Sequence, residues 1–241
     1  MANEKKFRVR KYEVPHIVGE NLFDGTTYEY QYHFEDSAKF YANYGYHNWE
    51  DEFFNQKYLF NEWHHALAIL KYEFPEQFFD VIDVLTKFTL KKSEIMKAGG
   101  RKSPISDGLD QQLYQLGWEE KMFETKVQVD GLVKDTPTHK IDCVKGRVAL
   151  DIEWNNKDPF YDRDLNNFRL LHSLGAISVG IIVTRHTELQ TEIFKPLDIH
   201  KKYGSSTTHY DKLFPKIQGG GAGMCPILVF AIRAGAYDEN A

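Results

Sequence analysis

Alternation of apolar and polar residues is sharpest between positions 148 and 154. Val148, Leu150, Ile152 and Trp154 are apolar, and Ala149, Asp151 and Glu153 fall between them. That is the two-residue period of a strand, so Asp151 and Glu153 share one face. Lys145-Gly146 suits a tight turn, which makes the stretch from His139 onward a β-hairpin. With that turn Asp142 falls opposite Ala149, on the face of Asp151 and Glu153, and a bulge at Gly146 would shift this register. A second alternating run sets Tyr28, Tyr30, Tyr32 and Phe34 against Glu29, Gln31 and His33. It predicts a strand over Thr27 to Phe34, after one over Lys6 to Val14, with turn residues at Asn21 to Gly25. Phe123 to Val133 reads as another strand, ended by a turn at Asp135 to Thr138. Ala176 to Thr184 and Pro226 to Ile232 are apolar enough to be strands buried on both faces.

Helical periodicity is clearest from Pro75 to Lys91. Phe78, Val81, Ile82, Leu85 and Phe88 form a stripe, and Pro75 suits the first turn. Helices are also predicted over Glu35 to Tyr44, Glu50 to Tyr72, Asp107 to Gln115, Asp162 to Leu174 and Glu188 to Phe194. Ser106 is the predicted cap of the Asp107 helix, and Gly117 and Gly175 suit helix ends. Ala98 to Pro104 reads as a linker and Lys201 to Tyr210 as a polar loop. From residue 100 the order is helix, strands, helix, strand, loop, strand. This predicts an α/β fold: a mixed central sheet flanked by helices, over residues 96–241. Residues 1–95 are expected to form a strand and helix extension packed on that core.

Composition narrows the class. At 241 residues the chain can bury a substantial core. No apolar run approaches the ~20 residues that span a membrane. The first residues carry no apolar stretch of a signal peptide, so the cytoplasm is the expected location. The two cysteines, Cys143 and Cys225, cannot build a disulfide framework or a structural zinc site and are expected to be small core residues. A net charge of −5 excludes broad electrostatic attraction to polyanions but permits a locally basic cleft.

The candidate chemistry lies on the hairpin. Asp142, Asp151 and Glu153 would converge on one patch of sheet, where like charges repel unless a cation lies between them. A hard divalent cation such as Mg²⁺ suits oxygen ligands. A solvated strand face has the same pattern, yet Asp151 sits between Leu150 and Ile152 although Asp is a poor strand former. Gly219 to Gly223 lacks the Lys-Ser/Thr that follows a nucleotide-phosphate loop, so no nucleotide cofactor is expected. His64 and His65 fall in a predicted helix, where neighbours face different ways and make a poor metal pair.

The Asp142–Asp151–Glu153 spacing resembles the core of the PD-(D/E)xK nucleases, most closely the type II restriction endonucleases of the BglII, BstYI and BamHI group. Asp142 to Phe160 is similar to their catalytic hairpin, Ser103 to Trp118 to the preceding helix, and Cys225 to Tyr237 to the closing strand. The likeness covers roughly residues 100 to 237. It implies that Mg²⁺ is held by Asp142, Asp151 and the Ile152 carbonyl, with Glu153 at the position where many of these enzymes carry lysine. Glu153 would bind a second metal or orient water. Asp151 stands where the group usually has Glu. Asp107 is either a residue that approaches the metal or a first-turn acid favoured by the helix dipole. The resemblance further implies a DNA-reading loop at Asn155, Asn156 and Lys157, and another at Ser205, Ser206, Thr207, Thr208 and His209. Lys201, Arg163 and Arg169 are the expected phosphate contacts. The implied function is Mg²⁺-dependent cutting of double-stranded DNA at a short palindrome, with GATC in the site. The alternatives are a repair or structure-specific nuclease on the same fold, or a catalytically silent DNA-binding module. One chain offers one site, so cutting both strands of a palindrome calls for a symmetric homodimer.

Overall fold

The computed structural model describes residues 17–20, 27–30, 56–97 and 102–240. The chain divides into two compact units, Met1–Asn48 and Trp49–Ala241. In the first, β1 (Ile17–Glu20) pairs antiparallel with β2 (Thr27–Tyr30), with Glu20 opposite Thr27. The strand expected over Lys6 to Val14, the turn at Asn21 to Gly25 and the helix over Glu35 to Tyr44 lie outside the described residues.

The second unit is built on a six-stranded mixed sheet. Its order is β3 (Tyr58–Trp63), β11 (Ile227–Ile232), β10 (Val179–Arg185), β9 (Val148–Glu153), β8 (Ile141–Lys145) and β5 (Glu119–Lys121). The central β9, β10 and β11 run parallel, while β3, β8 and β5 are antiparallel to their neighbours. β10 and β11 are buried along their whole length; the apolar runs from Val179 to Val183 and from Ile227 to Ile232 suit strands covered on both faces, and Thr184 and Arg185 are buried polar residues at the end of β10. One face carries α1 (Ala66–Glu73), α2 (Pro75–Lys87) and α4 (Pro104–Gln115), packed on Leu150, Ile181 and Phe230. The other carries α5 (Phe160–Ser173) and α6 (Tyr210–Gln218), packed on Ala149, Ile182 and Val229. A short α3 (Lys92–Met96), a two-stranded pair of β4 (Leu90–Lys91) and β12 (Tyr237–Asp238), a hairpin of β6 (Lys126–Val129) and β7 (Leu132–Asp135), a π-helical segment Gln190–Phe194 within the helix expected over Glu188 to Phe194, and a 3-10 turn Ala234–Ala236 complete the described elements. The expected mixed sheet flanked by helices is present. No helix among the described residues is long and apolar enough to cross a membrane. Cys143 and Cys225 are free and buried.

The depth of α5 depends on Gly180. A Cβ there would lie 2.6 Å from the Phe168 ring and 2.9 Å from Ile227, so only glycine lets the helix settle this close to the sheet.

Several expectations are corrected. Residues Glu50 to Tyr72 do not form one helix: Tyr58–Trp63 is an edge strand, with Tyr58 opposite Ile232. Tyr58 and Phe60 pack beside Phe230 on one face, while Leu59 and Trp63 reach the other, an alternation that suits a strand. His64 and His65, at φ 55° and 58°, form the turn into α1 and are not helical. Residues 58–95 therefore supply a strand and helices of the second unit and are not part of an extension. α4 starts three residues earlier than expected: Pro104 opens it, and the Ser103 hydroxyl accepts from Ser106 N–H at 3.0 Å. Phe123 to Val133 is not one strand, because the chain reverses at Asp130-Gly131 to form the β6–β7 hairpin. α6 begins at Tyr210, the last residue of the expected loop, and fills a stretch with no predicted element, although Tyr210, Leu213 and Ile217 have the spacing of a buried helical stripe.

Candidate active site

The hairpin turns one residue later than expected. Lys145 pairs with Val148, Cys143 with Leu150 and Val144 with Ala149, so the turn is Gly146-Arg147, with Gly146 at φ 57°. This register moves Asp142 from Ala149 toward Asp151. Beyond Cys143 the ladder gives way to side chains. Asp142 N–H donates to Asp151 Oδ1 at 2.9 Å, and Ile152 N–H donates to Asp142 Oδ2 at 2.9 Å. Each carboxylate thus holds the strand that carries the other.

Asp151 and Glu153 are not a solvated face. Each is 1% exposed, beneath α5. Leu150 and Ile152 point the other way, into the layer of α2 and α4. A carboxylate out of water favours its proton, and neighbouring acids add to the effect. Burial pushes Asp142 up to about 6, with Asp110 and Asp164 adding and Lys102 opposing. Burial raises Asp151 well above the carboxylate range, with Asp164 and Asp142 adding. Glu153 is pushed up to about 9 by burial and by Asp164, to which its carboxyl donates a hydrogen bond. The other Glu153 contacts are the Asn156 amide at 2.8 Å and Arg163 Nη2 at 3.5 Å.

Asp164 is one of two buried acids near the site that the sequence pattern did not single out. It is fully buried on α5, accepts from Arg163 Nε at 2.8 Å, and is itself raised by burial. Its signal was present: an acid set among Tyr161, Leu165 and Phe168 on an apolar helical stripe. Asp110 is a second case. It is buried on α4 against Cys143 Sγ at 3.5 Å, with Lys102 Nζ at 2.6 Å. Asp107, the acid chosen from sequence on that helix, is more than half exposed and faces Lys102 at 3.6 Å. The structure does not bring it to the cluster; it is a first-turn acid.

Asp142, Ile152, Glu153, Asn156, Arg163 and Lys102 line one cleft of about 330 Å³ at the ends of β8 and β9. Asp151 lies under its floor, and Asp151 Oδ2 is buried without a hydrogen-bond partner. An orphaned, desolvated carboxylate oxygen beside a second raised carboxylate is what a hard cation would complete. The Asp142 and Asp151 carboxylates are the pair that such a cation would meet. Among the described residues no group of three or more His, Cys, Asp or Glu is arranged to hold a metal ion, so Glu153 does not join the pair as a third ligand in this conformation. Its Oε atoms face Asn156, Arg163 and Asp164.

The two expected DNA-reading loops are joined. Thr208 N–H donates to Asn156 O at 2.8 Å, and Thr208 Oγ1 accepts from Asn156 N–H at 3.1 Å. Lys157 bridges to Thr207. Thr208 is fully buried, and His209, mostly buried, has its Nδ1 2.7 Å from Thr207 O. Both serve as internal struts in the described structure. Thr207 Oγ1 accepts from Arg185, a buried guanidinium that also reaches Tyr203 O. Ser205, Ser206, Lys201 and Lys157 are exposed and free to meet a ligand, as is the Asn156 edge. The Asn155 amide donates to Lys202 O at 3.3 Å. Arg163 is held by Asp164 and Glu153 and lies over the Phe160 ring, while Arg169 is exposed beside Asn166.

A mixed sheet whose hairpin carries buried carboxylates into a cleft, with polar loops at its rim, fits the restriction endonuclease fold. The family model described as restriction endonuclease BglII/BglIII matches residues 58–232, and the chain belongs to that family. The match begins at β3 and ends with β11, so it spans the whole central sheet. No curated protein matches the chain.

Proposed function

We propose that this chain is a type II restriction endonuclease that hydrolyses double-stranded DNA at a short palindromic site in a Mg²⁺-dependent reaction. The observation that carries it is the interlocked Asp142–Asp151 pair, with an orphaned carboxylate oxygen, at the floor of a cleft in a member of a restriction endonuclease family. Asp142, Asp151 and the Ile152 carbonyl would hold the cation. Bound there, it would supply a Lewis acid for the scissile phosphate, an acidified water and a charge that helps Glu153 release its proton.

The chain's own residues do the remaining work. Asn156 fixes Glu153 Oε2, so the carboxylate can orient a water and take its proton at the cleft. Asp164 and Arg163 restrain the other side of Glu153. Tyr161 and Thr184 lock the backbone beneath it: their hydroxyls lie 2.6 Å apart, and Thr184 Oγ1 donates to Glu153 O at 2.7 Å. Exposed Ser205, Ser206 and Asn156 are the candidates for base-edge contacts, and Lys201 and Lys157 for phosphates. We infer a symmetric homodimer, since the described residues of one chain hold one such cleft. Phe78, Val81 and Leu85 are core residues of the described unit, so α2 does not keep them for a partner. A GATC-containing target and a cytoplasmic location complete the proposal. Discrete fragments from plasmid incubated with Mg²⁺ support it; tight DNA binding in EDTA without cleavage in Mg²⁺ or Mn²⁺ would favour a silent binding module.

A further inference from the structure

We propose that Lys102 is a catalytic cation of this site, reaching from the start of α4 to the scissile phosphate that Asp142 helps position. This rests on the nuclease reading and adds a residue to it.

The cleft has an electrostatic problem. Asp142, Glu153, Glu94 and Glu120 line it, and Asp151 and Asp164 lie behind. A phosphodiester brings another negative charge, which grows on its oxygens as water attacks. One divalent cation between Asp142 and Asp151 leaves the phosphate in a field of acids. Among the described residues the cleft is lined by three cationic side chains, Lys102, Arg163 and Lys202. Arg163 is taken up by Asp164 and Glu153. Lys202 Nζ donates to the carbonyls of Ile95 (2.9 Å) and Lys97, tying the loop to α3.

Lys102 differs from both. Its acidic partners, Asp110 Oδ2 at 2.6 Å and Asp107 at 3.6 Å, belong to α4, and its side chain is 46% exposed while lining the cleft. Its charge reaches Asp142 and holds that carboxyl lower than burial alone would set it. Its place is also unfavourable for a purely structural cation. Lys102 precedes the N-terminus of α4, the positive end of a twelve-residue helix, which repels a cation. Asp110, fully buried, offsets that cost and fixes the ammonium where the first turn of α4 faces the cleft. Helix end and lysine then present one positive surface to an anion. Glu153 cannot provide that charge from the hairpin; Lys102 provides it from a neighbouring element.

The test measures single-turnover loss of supercoiled plasmid in Mg²⁺, affinity for a fragment of the same plasmid in EDTA, and thermal melting. Lys102→Gln is expected to slow the cleavage step by about 100-fold, the scale of losing one donor to a developing oxyanion, with affinity changed less than about threefold. Lys102→Arg should recover part of the rate. The double variant Lys102→Gln/Asp110→Asn removes the buried charge left without its partner; it should melt close to the wild type yet stay slow. A wild-type rate in Lys102→Gln, a return of the rate in the double variant, or a loss confined to affinity would each overturn the proposal. If the wild type, scored in the same series, leaves plasmid intact, the nuclease reading itself fails and Lys102 falls with it.

Discussion

Asp142 and Asp151 hold each other's strands: the backbone N–H of Asp142 donates to Asp151, and Asp142 accepts from Ile152 N–H, each at 2.9 Å. A strand ladder normally closes with carbonyl acceptors. Here two carboxylates replace them at the end of the hairpin. The substitution places both acids with fixed orientation where the sheet meets the cleft, at the cost of desolvating them.

That cost can be measured. Asp151→Asn keeps an acceptor for Asp142 N–H but removes a buried acid whose ionisation the fold opposes. The metal-free protein should gain stability, by about 1 kcal/mol or more in chemical denaturation. Cleavage in Mg²⁺ should fall by roughly 10³-fold or more, since a bound metal supplies several kcal/mol to the transition state. A variant that is both less stable and still active would show the carboxylate to be structural.

Stability should also depend on pH with an unusual sign. Asp142 and Glu153 bind protons more tightly in the fold than in the unfolded chain, at about 6 and about 9 respectively. Their favourable contribution is full below about pH 4, where both states are protonated, and is lost as pH rises through those values. Asp151, Asp164 and Asp110 press in the same direction, while Lys102, Arg163 and the Asn156 amide oppose them. The melting temperature without divalent cations should decline between pH 6 and 9. Millimolar Mg²⁺ should restore it more at pH 8 than at pH 6. Equal stabilisation by Mg²⁺ at both values would place the cation elsewhere.

The loop at 201–209 divides into struts and exposed residues. Thr208→Val removes the hydroxyl that meets Asn156 N–H and should cost about 1–2 kcal/mol in stability, weakening cleavage at every site alike. Ser205→Ala and Ser206→Ala should leave stability unchanged and relax discrimination, by roughly 1–3 kcal/mol for each base edge no longer read. Comparing cognate with near-cognate oligonucleotides separates the two behaviours. Unchanged discrimination in both serine variants would move base readout to Asn156 and Lys157.

Two adjacent lysines offer a sharper contrast. Lys201 is exposed, and Lys201→Ala should weaken binding to all sequences and lower the salt slope by about one. Lys202 is bonded to the carbonyls that end α3, so Lys202→Ala should lower the melting temperature with a smaller change in salt slope. A titration of DNA affinity against salt, run beside a melt, checks both.

Much of the site was legible in the chain because it lies on one hairpin. The period of two put Asp151 and Glu153 together, and the alternating Leu150 and Ile152 fixed the face. The turn was misplaced by one residue, since Lys145-Gly146 and Gly146-Arg147 are equally credible turns, and that moved Asp142 by two pairs. Asp164 and Asp110 were illegible as a cluster because they reach it from helices on opposite faces of the sheet. Only tertiary packing brings them to the hairpin. The strand Tyr58–Trp63 is hard to tell from helix in sequence because its alternation is short and its pairing partner, β11, lies more than 160 residues away. Thr208 looked like a reading residue for the same reason: its bond is to Asn156, across a span that short-range pattern does not register.

The central claim is tested most directly by sequencing the ends that the protein makes. Plasmid incubated with the wild-type chain and Mg²⁺ should yield discrete fragments whose ends share one short palindrome, with none from Asp142→Asn under the same conditions. Ends scattered over unrelated sequences, or cleavage that persists in Asp142→Asn, would contradict it.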